Sequence, residues 1–247
     1  MTRLATIASA LLLVAAVGLA ERPAAAQQPV MSARAEWLAA MELQLVAPPR
    51  ATSIIATVGA LLHLLLEPPA AFDAGGHLLA GAKHFRASRF EAALVEFRLI
   101  ERAGSPPPDL GLYLGPTLYK LGRLAEAIEA FATLPASSSE PLADYYHGLA
   151  AYDLKLYRRA REQFARVAKD GGPKLGGSAA RFIAEIDRVF AKPVSAGTVD
   201  AYLEWARQAR TLKRPVLVRV YLEEARALSA LAGGVRAAEI QAAQNAR

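Results

Sequence analysis

The sequence predicts an all-α protein built from stacked antiparallel helix pairs. Three observations carry that expectation. Alanine, leucine and arginine dominate, and β-branched runs are few. Proline and glycine fall between segments with helical periodicity. Three stretches align with one another about one hairpin apart: "LLAGAKHFRASRFEAALVEF" (78–97), "LYLGPTLYKLGRLAEAIEAF" (112–131) and "YYHGLAAYDLKLYRRAREQF" (145–164).

The elements follow in chain order. Residues 1–26 read as a secretory signal peptide. Thr2 and Arg3 give a short basic start, Ala5–Ala20 is apolar, and "ERPAAAQQ" offers small residues for cleavage after Ala26 or, failing that, Ala20. The mature chain of about 221 residues would keep a net charge of +5. With no cysteine anywhere, it has neither disulfides nor thiolate chemistry. An exported, periplasmic or secreted, bacterial envelope protein stabilised by packing is the expectation. Residues 27–72 should hold one helix pair, Ser32–Val46 and Ser53–Leu66. The second contains "IIATVGALLHLLL", which is too short to span a bilayer and includes His63.

Residues 73–172 carry the three repeats. Gly81, Gly115 and Gly148 share one register, as do Ala93, Ala127 and Ala160, and Phe97, Phe131 and Phe164. The small residues let two helices approach closely, and the phenylalanine fills the space beside them. One such hairpin cannot bury its apolar face alone, so copies must stack. Gly122 joins the two helices of the middle copy. Ser88 and Glu91 form a capping-box pattern at the start of a second helix. Residues 173–247 should cap the stack. Ser178–Phe190 presents Phe182, Ile183, Ile186, Val189 and Phe190 on one face. Thr198–Leu212 and Val216–Leu231 form a further pair that reads as a degenerate repeat, and a short helix or tail follows "GG" at 233–234.

The repeat pattern, with "LGPTLYKLGRLAEAIEAF" as its best copy, resembles tetratricopeptide repeats over about residues 74–172. The resemblance implies a right-handed α-solenoid. His77 and His84 depart from it, standing where large aromatics are usual. It also implies a partner-binding groove lined by the first helix of each pair: Phe85 and Arg86; Leu112, Pro116, Tyr119 and Lys120; Tyr145 and Tyr152. Phe85, Tyr119 and Tyr152 make an aromatic ladder, one rung per repeat, suited to a peptide or helix. The alternative is that the ladder packs against the chain's own flanking helices. The lysine and asparagine of a carboxylate clamp are missing, so capture of an acidic C-terminal tail is not expected.

Chemistry-bearing motifs are absent: no HExxH, GxSxG, Walker A or EF-hand loop occurs. No catalytic residue, metal or cofactor is therefore expected. His77 and His84 lie seven apart, too far along a helix to share one metal. "GGPKLGG" (171–177) reads as a turn. Two arginine clusters, one within residues 157–169 and one formed by Arg207, Arg210, Lys213, Arg214 and Arg219, read first as solvated faces. An acidic protein or an anionic membrane surface could meet either. Nucleic acid is not an expected partner outside the cytoplasm. The functional expectation is a non-enzymatic interaction scaffold in the cell envelope that binds another envelope protein or a peptide segment. The alternative is a small-ligand or glycan-binding module with tyrosines as stacking platforms.

Pro116 poses a separate question. Proline inside a helix removes the hydrogen bond to the carbonyl four residues back, here that of Leu112. A kink between Leu112 and Pro116 is expected. The freed carbonyl then either merely accompanies a local bend or helps to hold a partner.

Overall fold

The computed structural model describes residues 24–44, 72–104, 106–135 and 140–245. The expected signal-peptide core and the helix expected over Ser53–Leu66, with His63, lie outside them. Among the described residues there are eleven helices and no strand. None of those helices is long and apolar enough to cross a membrane.

Helix α1 (Ala24–Gln44) is longer than the expected Ser32–Val46 and starts ahead of the cleavage point expected after Ala26. Three hairpins follow: α2 (Ala74–Arg86) with α3 (Phe90–Arg102), α4 (Gly111–Lys120) with α5 (Leu124–Ala132), and α6 (Pro141–Asp153) with α7 (Tyr157–Asp170). Each second helix packs on its own first helix and touches the first helix of the next pair, so the three hairpins stack in sequence order. Their internal packing follows the repeat register. A Cβ added to Gly81, Gly115 or Gly148 would stand 2.2, 2.4 or 2.7 Å from the ring of Phe97, Phe131 or Phe164. Only a residue without a side chain permits that approach.

The turns are also one repeated object. Ser88, Gly122 and Lys155 all take left-handed backbone, with φ of 57°, 70° and 61°. Around each, three backbone bonds recur at the same offsets. In the middle hairpin they run from Leu121, Gly122 and Arg123 to the carbonyls of Thr117, Tyr119 and Leu118. This geometry corrects the capping-box expectation. Ser88 is the left-handed turn residue, so Arg89 occupies the N-cap position of α3 and no side chain caps it. The Ser88 hydroxyl instead accepts from Gln44 Nε2 at 2.8 Å.

Helix α8 (Gly172–Phe190) corrects a second expectation, because most of "GGPKLGG" is helix. The turn is confined to Gly171 and Gly172, the latter at φ 68°. Pro173 suits a first helical turn. Gly176 lets α8 start close to α7: a Cβ there would meet the carbonyl of Ala168 at 3.1 Å. Helix α8 packs along α7 and reaches α6.

The last pair, α9 (Ala196–Thr211) with α10 (Pro215–Leu231), does not prolong the stack beyond α8. Helix α10 instead packs on α5 and α7, the second helices of two earlier pairs. Buried Glu224 makes the joint. Its carboxylate accepts the N–H groups of Arg159 at 2.8 Å and Arg158 at 3.3 Å. It thereby occupies the anion-favouring N-terminus of α7. Tyr202 donates to the carbonyl of Lys155, and Arg214 pairs with Glu129 at 3.1 Å. Yet the α9–α10 turn is the repeat turn again. Lys213 has φ 54°, and Leu212, Lys213 and Arg214 bond back to Gln208, Arg210 and Ala209. In that register Ala206 stands for the glycine and Leu222 for the phenylalanine. The short helix α11 (Ala237–Asn245) closes the chain, with Ile240 buried.

Candidate functional site

The face formed by the first helices α2, α4 and α6 is where the groove residues fall, and α1 lies on it. Trp37 is the anchor. Its indole sits 4.4 Å from the ring of Phe85, 5.2 Å from Phe97 and 5.2 Å from Tyr113. Burying a ring of this size is worth roughly 5 kcal/mol of transfer free energy. Its Nε1–H donates to the carbonyl of Leu112 at 2.9 Å. That carbonyl is the one Pro116 cannot serve. Helix α4 runs through Pro116 without interruption, and the acceptor the proline leaves open is taken by α1.

The far end of α1 is held by the repeats. A helix leaves its last four carbonyls without intrahelical donors. Two of these find side-chain donors on the groove face: Tyr146 donates to the Met41 carbonyl at 3.0 Å, and Lys120 Nζ donates to the Gln44 carbonyl. Gln44 Nε2 also reaches the carbonyl of Arg86 at 3.2 Å. Lys120 is 1 % exposed, and burial pushes its ammonium down to about 8. The Tyr146 ring lies 5.8 Å from its nitrogen, adding a cation–π contact.

The predicted groove residues therefore divide. Phe85, Leu112, Pro116, Tyr119, Lys120 and Tyr145 are all buried. Arg86 is exposed and pairs with Glu36 of α1 at 3.1 Å. Tyr119 packs on Tyr146 at 5.7 Å, and burial followed by nearby Asp153 raises its phenol above the usual range. Tyr152 packs on Phe182 at 5.2 Å and donates to Glu185 at 2.7 Å. That hydrogen bond, ahead of burial, pushes its phenol up to about 12. The aromatic ladder is thus internal packing, with its rungs against α1, against Tyr146 and against α8.

Among the described residues, one part of this face is left open. A cavity of about 630 Å³ lies between α1, α6 and α8. Leu38, Leu142, Tyr145 and Leu175 give it an apolar floor. Glu42, Glu140 and Asp170 stand around it with Lys174; Lys174 approaches Glu42 at 3.9 Å, and Arg34 approaches Glu140 at 3.6 Å. Sequence reasoning placed Tyr145 here but missed Leu175, because "GGPKLGG" was read as a turn. The apolar residue inside that glycine-rich stretch was the available signal.

The basic clusters have different fates. In the first, Arg158, Arg159, Arg161 and Arg166 pair with Glu162, Glu223, Asp187 and Asp144, at 2.6–3.2 Å. Arg158 pairs within α7, while Arg159, Arg161 and Arg166 join α7 to α10, α8 and α6, so these four do not form an unpaired cationic face. In the second, Arg207 pairs with Glu204, while four members line a cavity treated below. Of the histidines, His77 bonds Glu96 at 2.7 Å, and His147 is buried, stacked on Phe131 at 4.8 Å. Among the described residues no three His, Asp or Glu side chains are gathered for a metal ion.

Comparison with protein-family models, with curated proteins and with solved structures yielded no match. The functional reading therefore rests on the geometry above.

Proposed function

We propose that the chain is an exported scaffold of tetratricopeptide type, a right-handed α-solenoid whose first-helix face binds a segment of another envelope protein. One observation carries this reading: that face already holds a helix. Helix α1 lies on it through an aromatic anchor, and groove side chains cap its C-terminal carbonyls. This is the helix-in-groove mode of recognition carried out within one chain. The cavity beside it offers the same kind of surface, with no helix on it among the described residues. Its apolar floor suits a segment with apolar anchors, and Asp170, which has no ion-pair partner among the described residues, suits a basic flank. The glycan-binding alternative calls for a closed pocket around Tyr119, Tyr145 and Tyr152, and of these Tyr145 alone lines the cavity beside α1.

The test is site-specific crosslinking in intact envelopes. A photoreactive side chain replacing exposed Ala39, at the cavity, should capture a discrete partner. The same group replacing exposed Arg188 should not. Capture from Arg188 alone, or from neither position, would reject this surface as the binding site.

A further inference from the structure

A second cavity belongs to neither the groove nor the open station beside it. It measures about 690 Å³ and lies among α9, α10 and α11. Five cations line it, Arg210, Lys213, Arg214, Arg219 and Arg226, against a single carboxylate, Glu223. We infer that this cavity is a binding site for a phosphate group, carried by an anionic lipid headgroup or free as inorganic phosphate.

Four observations converge on an anion. First, charge is not balanced locally. Glu223 is shared with Arg159 at 2.8 Å and Arg219 at 3.9 Å, and so is already neutralised. Arg214 is matched by Glu129 and Glu126. Among the described residues neither Lys213 nor Arg226 has an ion-pair partner, and both are exposed. Second, the cavity holds the N-terminus of α10, a helix of 17 residues. Arg214 at its N-cap supplies no capping acceptor, and Pro215 has no N–H to satisfy. The positive end of the helix dipole adds to the same field.

Third, part of the lining is fixed in place. Arg210 donates to the carbonyl of Ala243 at 2.7 Å, which fixes its guanidinium across the α9–α11 gap. Lys213 occupies the left-handed turn position that three backbone bonds define. Fourth, the repeat register itself changes character here. The position filled by Phe85, Tyr119 and Tyr152 in the first three hairpins is Arg210 in the last. Where the other pairs place an aromatic rung for internal packing, this pair places an arginine in the lining of a cavity. The floor of Pro215, Val218 and Leu222 is apolar. An acyl chain or glycerol backbone could lie there beside a phosphodiester.

The test uses the mature chain with two probes, phosphatidylglycerol vesicles and inorganic phosphate, with phosphatidylcholine vesicles as reference. Sedimentation measures vesicle binding, and side-chain NMR shifts measure phosphate binding. Wild type should bind phosphatidylglycerol over phosphatidylcholine, and binding should weaken as salt rises. Lys213→Gln with Arg226→Gln should weaken it tenfold or more. Lys83→Gln with Lys169→Gln removes the same charge from exposed positions elsewhere and should change binding less than twofold. Shifts at Lys213 and Arg226 on adding phosphate alone would assign the site to the free ion as well. Binding to vesicles without such shifts would assign it to the lipid headgroup. Equal losses in the two double variants, no loss in either, or no binding of either probe by wild type would overturn the proposal.

Discussion

At the scale of single residues, Trp37 and Pro116 share one acceptor. Wild type satisfies the Leu112 carbonyl through the indole. Trp37→Phe removes the donor and leaves a buried acceptor open, at a cost of about 1–3 kcal/mol beyond the lost ring area. In a Pro116→Ala background the new N–H at position 116 reaches the same carbonyl, so Trp37→Phe should cost less. A double-mutant cycle by urea unfolding should give a coupling of at least about 1 kcal/mol. Additivity within about 0.3 kcal/mol would mean that the two donors are not interchangeable. His147 makes a second residue-scale prediction. Burial, then Arg159 and Arg166, lower its imidazole to about 3, and its Nε2 is buried without a partner. The folded state thus keeps it neutral while the unfolded chain protonates near 6.5. The unfolded state binds the extra proton, so stability falls as pH drops below about 6.5 and continues to fall toward 3. Between pH 7 and 5 this group alone should remove about 2 kcal/mol. The stability difference between wild type and His147→Gln should change by that amount across the same interval. A constant difference would show that His147 protonates freely in the fold.

At the scale of elements, the hairpin is specified by matched volumes. Gly115 meets Phe131, whereas the last pair places Ala206 and Leu222 in the same registers. Larger with smaller preserves the contact. Gly115→Ala alone drives a Cβ to 2.4 Å from a packed ring. Overpacking of that kind costs about 1–3 kcal/mol, offset in part by about 1 kcal/mol of helix propensity. Phe131→Leu alone opens a cavity. The double variant copies the last hairpin and should be more stable than the sum of the two losses predicts, a less-than-additive result in denaturant midpoints. Strict additivity would mean that the register does not act as a pair. This pairing was legible from Gly81, Gly115 and Gly148 with their phenylalanines, because those residues recur. The boundaries of α8 were not. Glycine and proline in residues 171–177 signal a turn locally, and only packing of Gly176 on α7 makes them helical. The Ser88–Glu91 pattern failed for a related reason: the turn needs a left-handed residue at position 88, and that requirement overrides capping.

At the scale of the whole molecule, the sequence pattern fixed the order of the hairpins but not what lies across them. The exposed-groove expectation for Phe85, Leu112 and Tyr119 depended on the path of α1. That path is set by Trp37 meeting a carbonyl 75 residues away, and by Met41 and Gln44 meeting side chains 105 and 76 residues away. No local periodicity reports contacts at that range. Helix α10 is placed in the same way, by Glu224 reaching the start of α7. The stack is thereby clamped on two faces: α1 spans the first helices and α10 spans second helices. A free array of repeats unfolds by nearest-neighbour steps. Two long-range clamps couple those steps into one transition. The chain carries its own probes for this, because its two tryptophans are Trp37 in α1 and Trp205 in α9. In Trp205→Phe the fluorescence reports the first clamp, and in Trp37→Phe it reports the last pair. Within each variant, the urea midpoint by fluorescence should coincide with that by helical circular dichroism. Comparing probes inside one protein removes the destabilisation that each substitution brings. If Trp205 fluorescence changes at lower urea than the helical signal, the last pair unfolds before the stack and the Glu224 joint does not couple them.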